Sequence, residues 1–264
     1  MLESGESTFQ LARGVASACV LALALALERW RMHARLRPAW STNLGLFAVS
    51  GVVMAIACGA CGWTLAAWAD SRDFGLLAGW AAPAWLAVGI GVVALDLVSW
   101  AWHAANHRVR WLWRFHQVHH ADQSFHVTTA LRFHPGELLL SLPVRLAAIV
   151  ALGVPPIGVL VFEVVFGTAN LLEHGNFDLP RRLDLGLQRL LITPAMHRVH
   201  HTREWRELDT NFGTIFSLWD RALGTFRAGD PQRQITTGLP DWERPEAPTL
   251  LQALALPFTP RRGR

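Results

Sequence analysis

Lysine is absent from the 264 residues, charged side chains of every kind make up only 17%, and there are just three cysteines. So little charge set against 52% hydrophobic residues excludes an ordinary soluble surface and points to the membrane class. With no lysine, the formal charge of +4 is carried by arginine, which suits contact with anionic lipid headgroups. No nucleic-acid partner is expected, because the arginines flank apolar spans and form no separate basic, aromatic-interleaved face. Cys19, Cys58 and Cys61 all sit in apolar stretches, where a thiol is a small packing residue. The lone Cys58/Cys61 pair is weak evidence for a metal or disulfide site.

Charge is missing altogether from Thr42 to Ala69 and from Phe74 to Leu95. Each run is long enough for the ~20 residues of a bilayer crossing. Gly14 to Leu27 is shorter, and its upstream flank carries Glu3 and Glu6 where a secretory signal needs basic residues, so a retained first helix with Trp30 at the interface is expected. Leu138 to Leu172 is interrupted by Arg145, Glu163 and a Gly153-Val154-Pro155-Pro156 turn signal. As one helix it would be about 50 Å long, too much for a core of about 30 Å, whereas two legs meeting near Pro155 form a hairpin. Arg181 to Ile192 places Leu183, Leu187, Leu190 and Leu191 on one face, as an interfacial helix would.

The predicted fold is all-α, with about four or five spanning or hairpin helices and a His-rich helical cap. Arg29, Arg31, Arg35 and Arg37 place the first loop on the cytoplasmic side, and Arg108, Arg110 and Arg114 bring the chain back to it. The expected location is the bacterial inner membrane, with the His-rich cap facing the cytoplasm. Residues 1–228 read as one membrane domain, with the motifs in 96–225, and 229–264 as a polar, proline-rich, poorly ordered cytoplasmic tail in which Thr249 to Phe258 could dock as a short helix.

Nine of the histidines fall into short clusters: HAANH at 103–107, HQVHH at 116–120, His174, and HRVHH at 197–201. On helices, His116, His119 and His120 share a sector of about 100°, and His197, His200 and His201 do the same. His103 and His107 lie one turn apart. Neutral imidazole binds borderline transition metals, and this supply of nitrogens is enough for more than one ion. His33 reads as interfacial, His126 as a polar loop residue, and His134 as either a partner of a ligand or helix-start packing. Asp96, the one acid in its apolar span, either accepts a ligand ring N–H or is a helix-end charge.

HAANH, HQVHH, VTTALRFHPGE, and TPAMHRVHH followed by DTNFGTIFSLWDRALGT together resemble the fatty acid hydroxylase (sterol desaturase) superfamily over roughly Asp96 to Thr225. The resemblance implies an integral membrane oxygenase with two iron ions held by His103, His107, His116, His119, His120, His197, His200 and His201, with His174 as a further ligand. Some members carry two histidines in the region of His174, spaced by three residues; here the earlier position is Asn170, which leaves one coordination position to Asn170, to water, or to nothing. Asp209 and Asn211 resemble the family's acid and amide after the last block and are candidate partners of the ligands.

Such a site implies oxidation of a lipid C–H bond by O₂, with lipid drawn from the bilayer and electrons from a separate ferredoxin, cytochrome or reductase, since the chain has no flavin, haem or iron–sulfur signature. Zinc can occupy the same nitrogens in a purified protein but has no redox chemistry. The alternative is a zinc-dependent membrane lipid hydrolase, which would need a carboxylate base absent from the clusters. A metal carrier is disfavoured, because carriers place ligands near mid-bilayer whereas these clusters adjoin arginine-rich edges.

Overall fold

The computed structural model describes residues 2–35, 37–58, 61–80, 83–242 and 246–259, all helix and loop with no strand among them. The chain opens with α1 (Leu2–Trp30), α2 (Trp40–Ala57) and α3 (Cys61–Asp70). α4 (Ala84–Arg108) and α5 (Arg110–His120) are separated by the single extended residue Val109. α6 (Pro135–Leu152) and α7 (Pro156–Glu173) form the expected hairpin. Gly153, at φ 64°, ends α6 in the left-handed conformation that glycine adopts freely, and the prolines behind it start α7. Short helices follow: α8 (Arg181–Leu187), α9 (Pro194–His200), α10 (Trp205–Leu208), α11 (Leu218–Ala222) and α12 (Leu250–Ala255).

Among the described residues, five segments are long and apolar enough to cross a membrane: Ser7–Trp30, Trp40–Asp70, Ala84–Arg108, Pro135–Leu152 and Pro156–Glu173. The third differs from the expected Phe74–Leu95 crossing. Residues 74–79 instead fold over the hairpin tip, where Leu76 N–H donates to Ala151 O at 3.0 Å and Leu77 N–H to Leu152 O at 2.8 Å. Gly75, at φ 114°, allows this, because a Cβ there would lie 2.3 Å from Gly153 N. The crossing therefore starts after Pro83 and runs on through His103 and His107.

Phe9, Ala66, Leu95, Ile149, Val159 and Phe162 join α1, α3, α4, α6 and α7 in the central apolar cluster. Large apolar residues such as Val52, Ile56 and Val93 are exposed on the helix flanks, as lipid-facing side chains are. The expected interfacial helix over Arg181 to Ile192 ends at Leu187, and of its four leucines Leu183 and Leu190 are exposed whereas Leu191 packs against the central cluster.

The end of the chain is packed and not loose, and α12 falls within the Thr249 to Phe258 stretch expected to dock as a short helix. Leu239, Trp242, Ala253 and Leu256 are buried against Leu46 of α2 and Trp113 and Val118 of α5, so the apolar positions between the prolines cover the helix that carries HQVHH.

Candidate metal centre

All the clustered histidines lie at one end of the bundle. His103 and His107 occupy the last two turns of α4, and the break at Val109 turns α5 back so that His116 and His120 face them. His174 caps the C-terminus of α7. Thr193 caps α9 by accepting from Met196 N–H, and Pro194 fixes its first turn, so this seven-residue helix starts at a defined place and aims HRVHH inward.

The histidines separate into two nests. One holds His103, His107, His116, His120 and His200; the other holds His119, His174, His197 and His201, and within each nest the ring nitrogens lie within 4.8 Å of one another. Each HxxHH block is thus divided. On α5 the pair one turn apart, His116 and His120, serves the first nest and His119 the second. On α9 the pair His197 and His201 serves the second nest and His200 the first. The i, i+4 partners share a stripe and the third ring points to its neighbour.

Hydrogen bonding fixes which nitrogen carries the proton. Nδ1 of His103 donates to Phe212 O at 2.9 Å, that of His200 to Thr210 O at 2.7 Å and that of His174 to Asn170 O at 2.7 Å. His116 Nδ1 donates to Glu137 Oε1 at 2.7 Å, and His107 Nδ1 to Asp209 Oδ1 at 3.3 Å. Carbonyl and carboxylate oxygens only accept, so these Nδ1 atoms hold the protons and the Nε2 atoms are bare. Yet Nε2 of His103 and of His116 face each other at 3.1 Å, as do those of His116 and His120. In the second nest His174 Nε2 lies 3.1 Å from His119 Nε2 and 3.0 Å from His197 Nε2. Where neither nitrogen has a proton to share, opposed lone pairs at such distances repel unless a cation lies between them.

The donor set fits metal ions. With metal–nitrogen bonds of about 2.1 Å, ligands at right angles stand about 3.0 Å apart and tetrahedral ligands about 3.4 Å apart. The 3.0 to 3.1 Å spacings match the former. Five nitrogens in one nest also exceed the four of a structural zinc site. His200 Nε2, buried and without a hydrogen-bond partner, points to the same occupant.

Aromatic rings close the nests off. Phe212 packs edge-on to His103 and His107, Trp113 covers His107 and His120, Phe133 stacks on His119 at 4.5 Å, and Phe125 lies over His174 and His201. Burial, and then the neighbouring rings, hold His119, His120, His197 and His201 well below the usual imidazole range. Burial likewise lowers His200 to about 3 and His174 to about 4, partly offset by their hydrogen bonds to Thr210 O and Asn170 O. These rings are neutral at physiological pH, the form that ligates metals.

The surrounding expectations meet a mixed outcome. Asp209 does touch a clustered ring, and Asn170 does so through its carbonyl while its amide donates to Ala130 O. Asp96 touches no histidine. It accepts from Trp219 Nε1 at 2.8 Å and from the N–H groups of Ile215 and Phe216 at 3.2 Å, and so anchors the loop that presents Phe212 O to His103. Asn211, at φ 54°, binds Met196 O and Arg227 O and braces the backbone without reaching a ring. His134 is the helix-start residue: its Nδ1 accepts from Gly136 N–H at 2.9 Å and its Nε2 donates to Leu254 O.

His33, expected to be interfacial, and His126, in the loop before Val127 as expected, both have side chains buried beside a carboxylate. His33 Nδ1 lies 2.9 Å from Asp178, which also binds Arg198 within HRVHH at 2.7 Å. His126 Nε2 lies 2.6 Å from Glu28 Oε2.

Sequence reasoning missed the carboxylates of Glu137 and Glu173. Glu173 Oε2 stands 3.7 Å from His197 Nδ1, and both acids are almost fully buried, so carboxylates from outside the clusters border the rings. The signals were present: Glu137 ends the quoted VTTALRFHPGE and Glu173 directly precedes His174. Asp220 was missed as well; it accepts from Trp100 Nε1 and from the Phe212 and Gly213 N–H groups, tying the same loop to α4.

Beside the nests a cavity of about 150 Å³ lies between α4, α6 and α7. His103, His116, His119, His174 and His197 line one end, and Leu95, Phe162, Phe166 and Arg145 lie toward the other. A buried alkyl chain reaching the rings by this route would be kept from water.

Comparison with known proteins agrees with this geometry. The sequence model of the family described as "Fatty acid hydroxylase" matches residues 88–225. The chain is 33% identical over 178 residues to the ornithine lipid hydroxylase OlsE of Rhizobium tropici, covering 67% of this chain and 51% of that protein. It is 29% identical over 154 residues to the cholesterol 25-hydroxylase of Rattus norvegicus, covering 56% and 49% respectively. To the alkylglycerol monooxygenase of Homo sapiens it is 32% identical over 163 residues, covering 61% and 34%. The chain thus spans about half the length of the first two relatives and about a third of the last. No solved structure matches it.

Proposed function

The chain belongs to the fatty acid hydroxylase family, and on that premise we propose that it is a membrane oxygenase that uses O₂ to hydroxylate or desaturate a C–H bond of a lipid at a di-iron centre. His103, His107, His116, His120 and His200 would hold one ion and His119, His174, His197 and His201 the other. The observation that carries the reading is the pair of nests, each gathering its ring nitrogens within 4.8 Å of one another, with the bare Nε2 atoms of His103 and His116 facing at 3.1 Å.

When bound, a redox-active metal pair supplies the O₂ activation that amino-acid side chains lack. The rest is done by the chain. Glu137, Asp209 and the carbonyls of Phe212, Thr210 and Asn170 hold protons on Nδ1 and thereby keep Nε2 available. Phe133, Phe125, Trp113 and Phe212 exclude water from the rings. The cavity between α4, α6 and α7 orients the lipid chain, and which hydrogen it presents decides between alcohol and alkene.

Arg29, Arg31, Arg108, Arg110 and Arg114 lie at the same end of the helices as the nests, which supports a cytoplasmic site in a bacterial inner membrane and access for a separate electron donor. The zinc hydrolase reading gains a carboxylate from Glu137 and Glu173, but Glu137 is committed to His116 at 2.7 Å, and the nitrogen count exceeds a catalytic zinc site. The deciding experiment expresses the protein and a His120→Ala variant in one host and compares total lipids by mass spectrometry. A gain of one oxygen or a loss of two hydrogens, requiring both O₂ and His120, supports the oxygenase; O₂-independent release of a lipid fragment would favour hydrolysis.

A further inference from the structure

The α6–α7 hairpin carries charge that the histidine chemistry leaves unused. Arg145 Nη1 pairs with Glu163 Oε1 at 3.0 Å, and Arg13 of α1 reaches the other oxygen of the same carboxylate at 3.5 Å. All three lie inside membrane-length segments, and two cations share one anion. A charge in the hydrocarbon zone is costly and is kept where it serves a pathway or a ligand.

Arg145 also lines the cavity, which a clamp between helices has no need to do. Of the five N–H donors of a guanidinium, it directs one hydrogen bond to a described protein acceptor, Glu163, while Phe166 packs beside it at 5.8 Å. The other donors are available to a guest.

The helices set the length of that guest. On α6, Glu137, which holds His116, is eight residues from Arg145; on α4, Leu95 is eight residues from His103. Either interval corresponds to about 12 Å along a helix axis. The wall between is mainly apolar, with Leu138 and Val144 on one side and Val98 and Trp102 on the other.

We propose that Arg145 recognises the substrate, and that the cavity takes an elongated lipid chain bearing a carboxylate or phosphate, its anionic oxygens on the guanidinium and a carbon about 12 Å away at the histidine end. This rests on reading the cavity as the substrate chamber of the proposed oxygenase, but its test needs neither metal nor turnover. The full-length protein in nanodiscs of zwitterionic lipid is titrated with radiolabelled decanoate, decyl phosphate and decanol. Both anions are expected to bind at least about tenfold more tightly than decanol.

Arg145→Gln should abolish that preference and Arg145→Lys retain part of it. Glu163→Gln, which removes the competing carboxylate, should strengthen anion binding. A mere helix clamp predicts that R145Q and E163Q, which break the same pair, behave alike. Equal binding of decanol and decanoate, or parallel effects of the two variants, overturns the assignment. If anion preference is found but lipid oxidation is not, this inference stands and the oxygenase reading falls.

Discussion

His120 and His201 stack with ring centroids 4.3 Å apart and planes 19° apart, although each belongs to a different nest. Together with the edge-on contact of His119 and His120 at 5.3 Å, this stack forms the boundary between the two nests. The two nests are therefore immediate neighbours.

The division of each HxxHH block yields a prediction about metal content. His107→Ala and His120→Ala should both deplete the first site, and His119→Ala and His197→Ala the second, although His119 and His120 are adjacent in sequence. Protein reconstituted with iron is measured for metal stoichiometry and by Mössbauer spectroscopy. Variants should fall into the two spectral classes defined by the nests, not by the motifs. Grouping of His119→Ala with His120→Ala would dismiss the assignment.

Glu137 acts through His116. Replacing a carboxylate that orients a ligand imidazole typically lowers metal affinity about 10–100-fold. Glu137→Leu is expected to fall in that range, and Glu137→Gln to lose less, because the amide oxygen can still accept from His116 Nδ1. Competition with a chelator measures both. Equal affinity of Glu137→Leu and the parent protein would show that His116 needs no such partner.

Beneath α5, Arg132 is wholly buried. It donates to Val118 O at 2.8 Å and to Asn43 Oδ1 at 2.9 Å, and Asp122 accepts from Asn43 and Thr129 in the same network. Asp122→Ala strands the guanidinium and is expected to cost about 3–5 kcal/mol. A paired change of Arg132→Met with Asp122→Leu should cost less. Denaturant unfolding in detergent gives both values.

His33 joins α1 to HRVHH through Asp178 and Arg198. His33→Ala should therefore destabilise the protein by about 1–3 kcal/mol, since it leaves a partly buried carboxylate with one partner fewer. A sequence reading of His33 as an interfacial residue expects no change, so thermal unfolding of this one variant separates the two.

The parts legible in the sequence are those set by local pattern. Uncharged length and the Gly153–Pro156 signal gave the crossings and the hairpin, and helical spacing gave the ring stripes. The parts that were not legible depend on chain segments meeting in space. Residues 74–79 are as apolar as a crossing, and only their pairing with Ala151 and Leu152 makes them a cover. Asp96 could not be assigned because its partners lie about 120 positions away, at Ile215, Phe216 and Trp219. Nothing in HxxHH says that its third ring crosses to another ion, because that depends on where α9 meets α5.

The nests also set the acid limit of the metal-free protein. In the unfolded chain each histidine takes up a proton near pH 6.5. The folded protein resists, since burial lowers His174 to about 4 and His200 to about 3 and holds His119, His120, His197 and His201 well below their usual range. Below about pH 6.5 the unfolded state thus binds more protons than the folded state, and stability must fall as pH falls. The decline should continue down through about 4 and about 3 as His174 and His200 themselves charge. Above about pH 8 these rings are neutral in both states and contribute no slope. Bound metal should displace the decline to lower pH, because protons and metal compete for the same Nε2 atoms. Unfolding free energy measured between pH 8 and pH 5, with and without iron, is the check. A flat profile in the metal-free protein would mean that the rings are hydrated and the nests open.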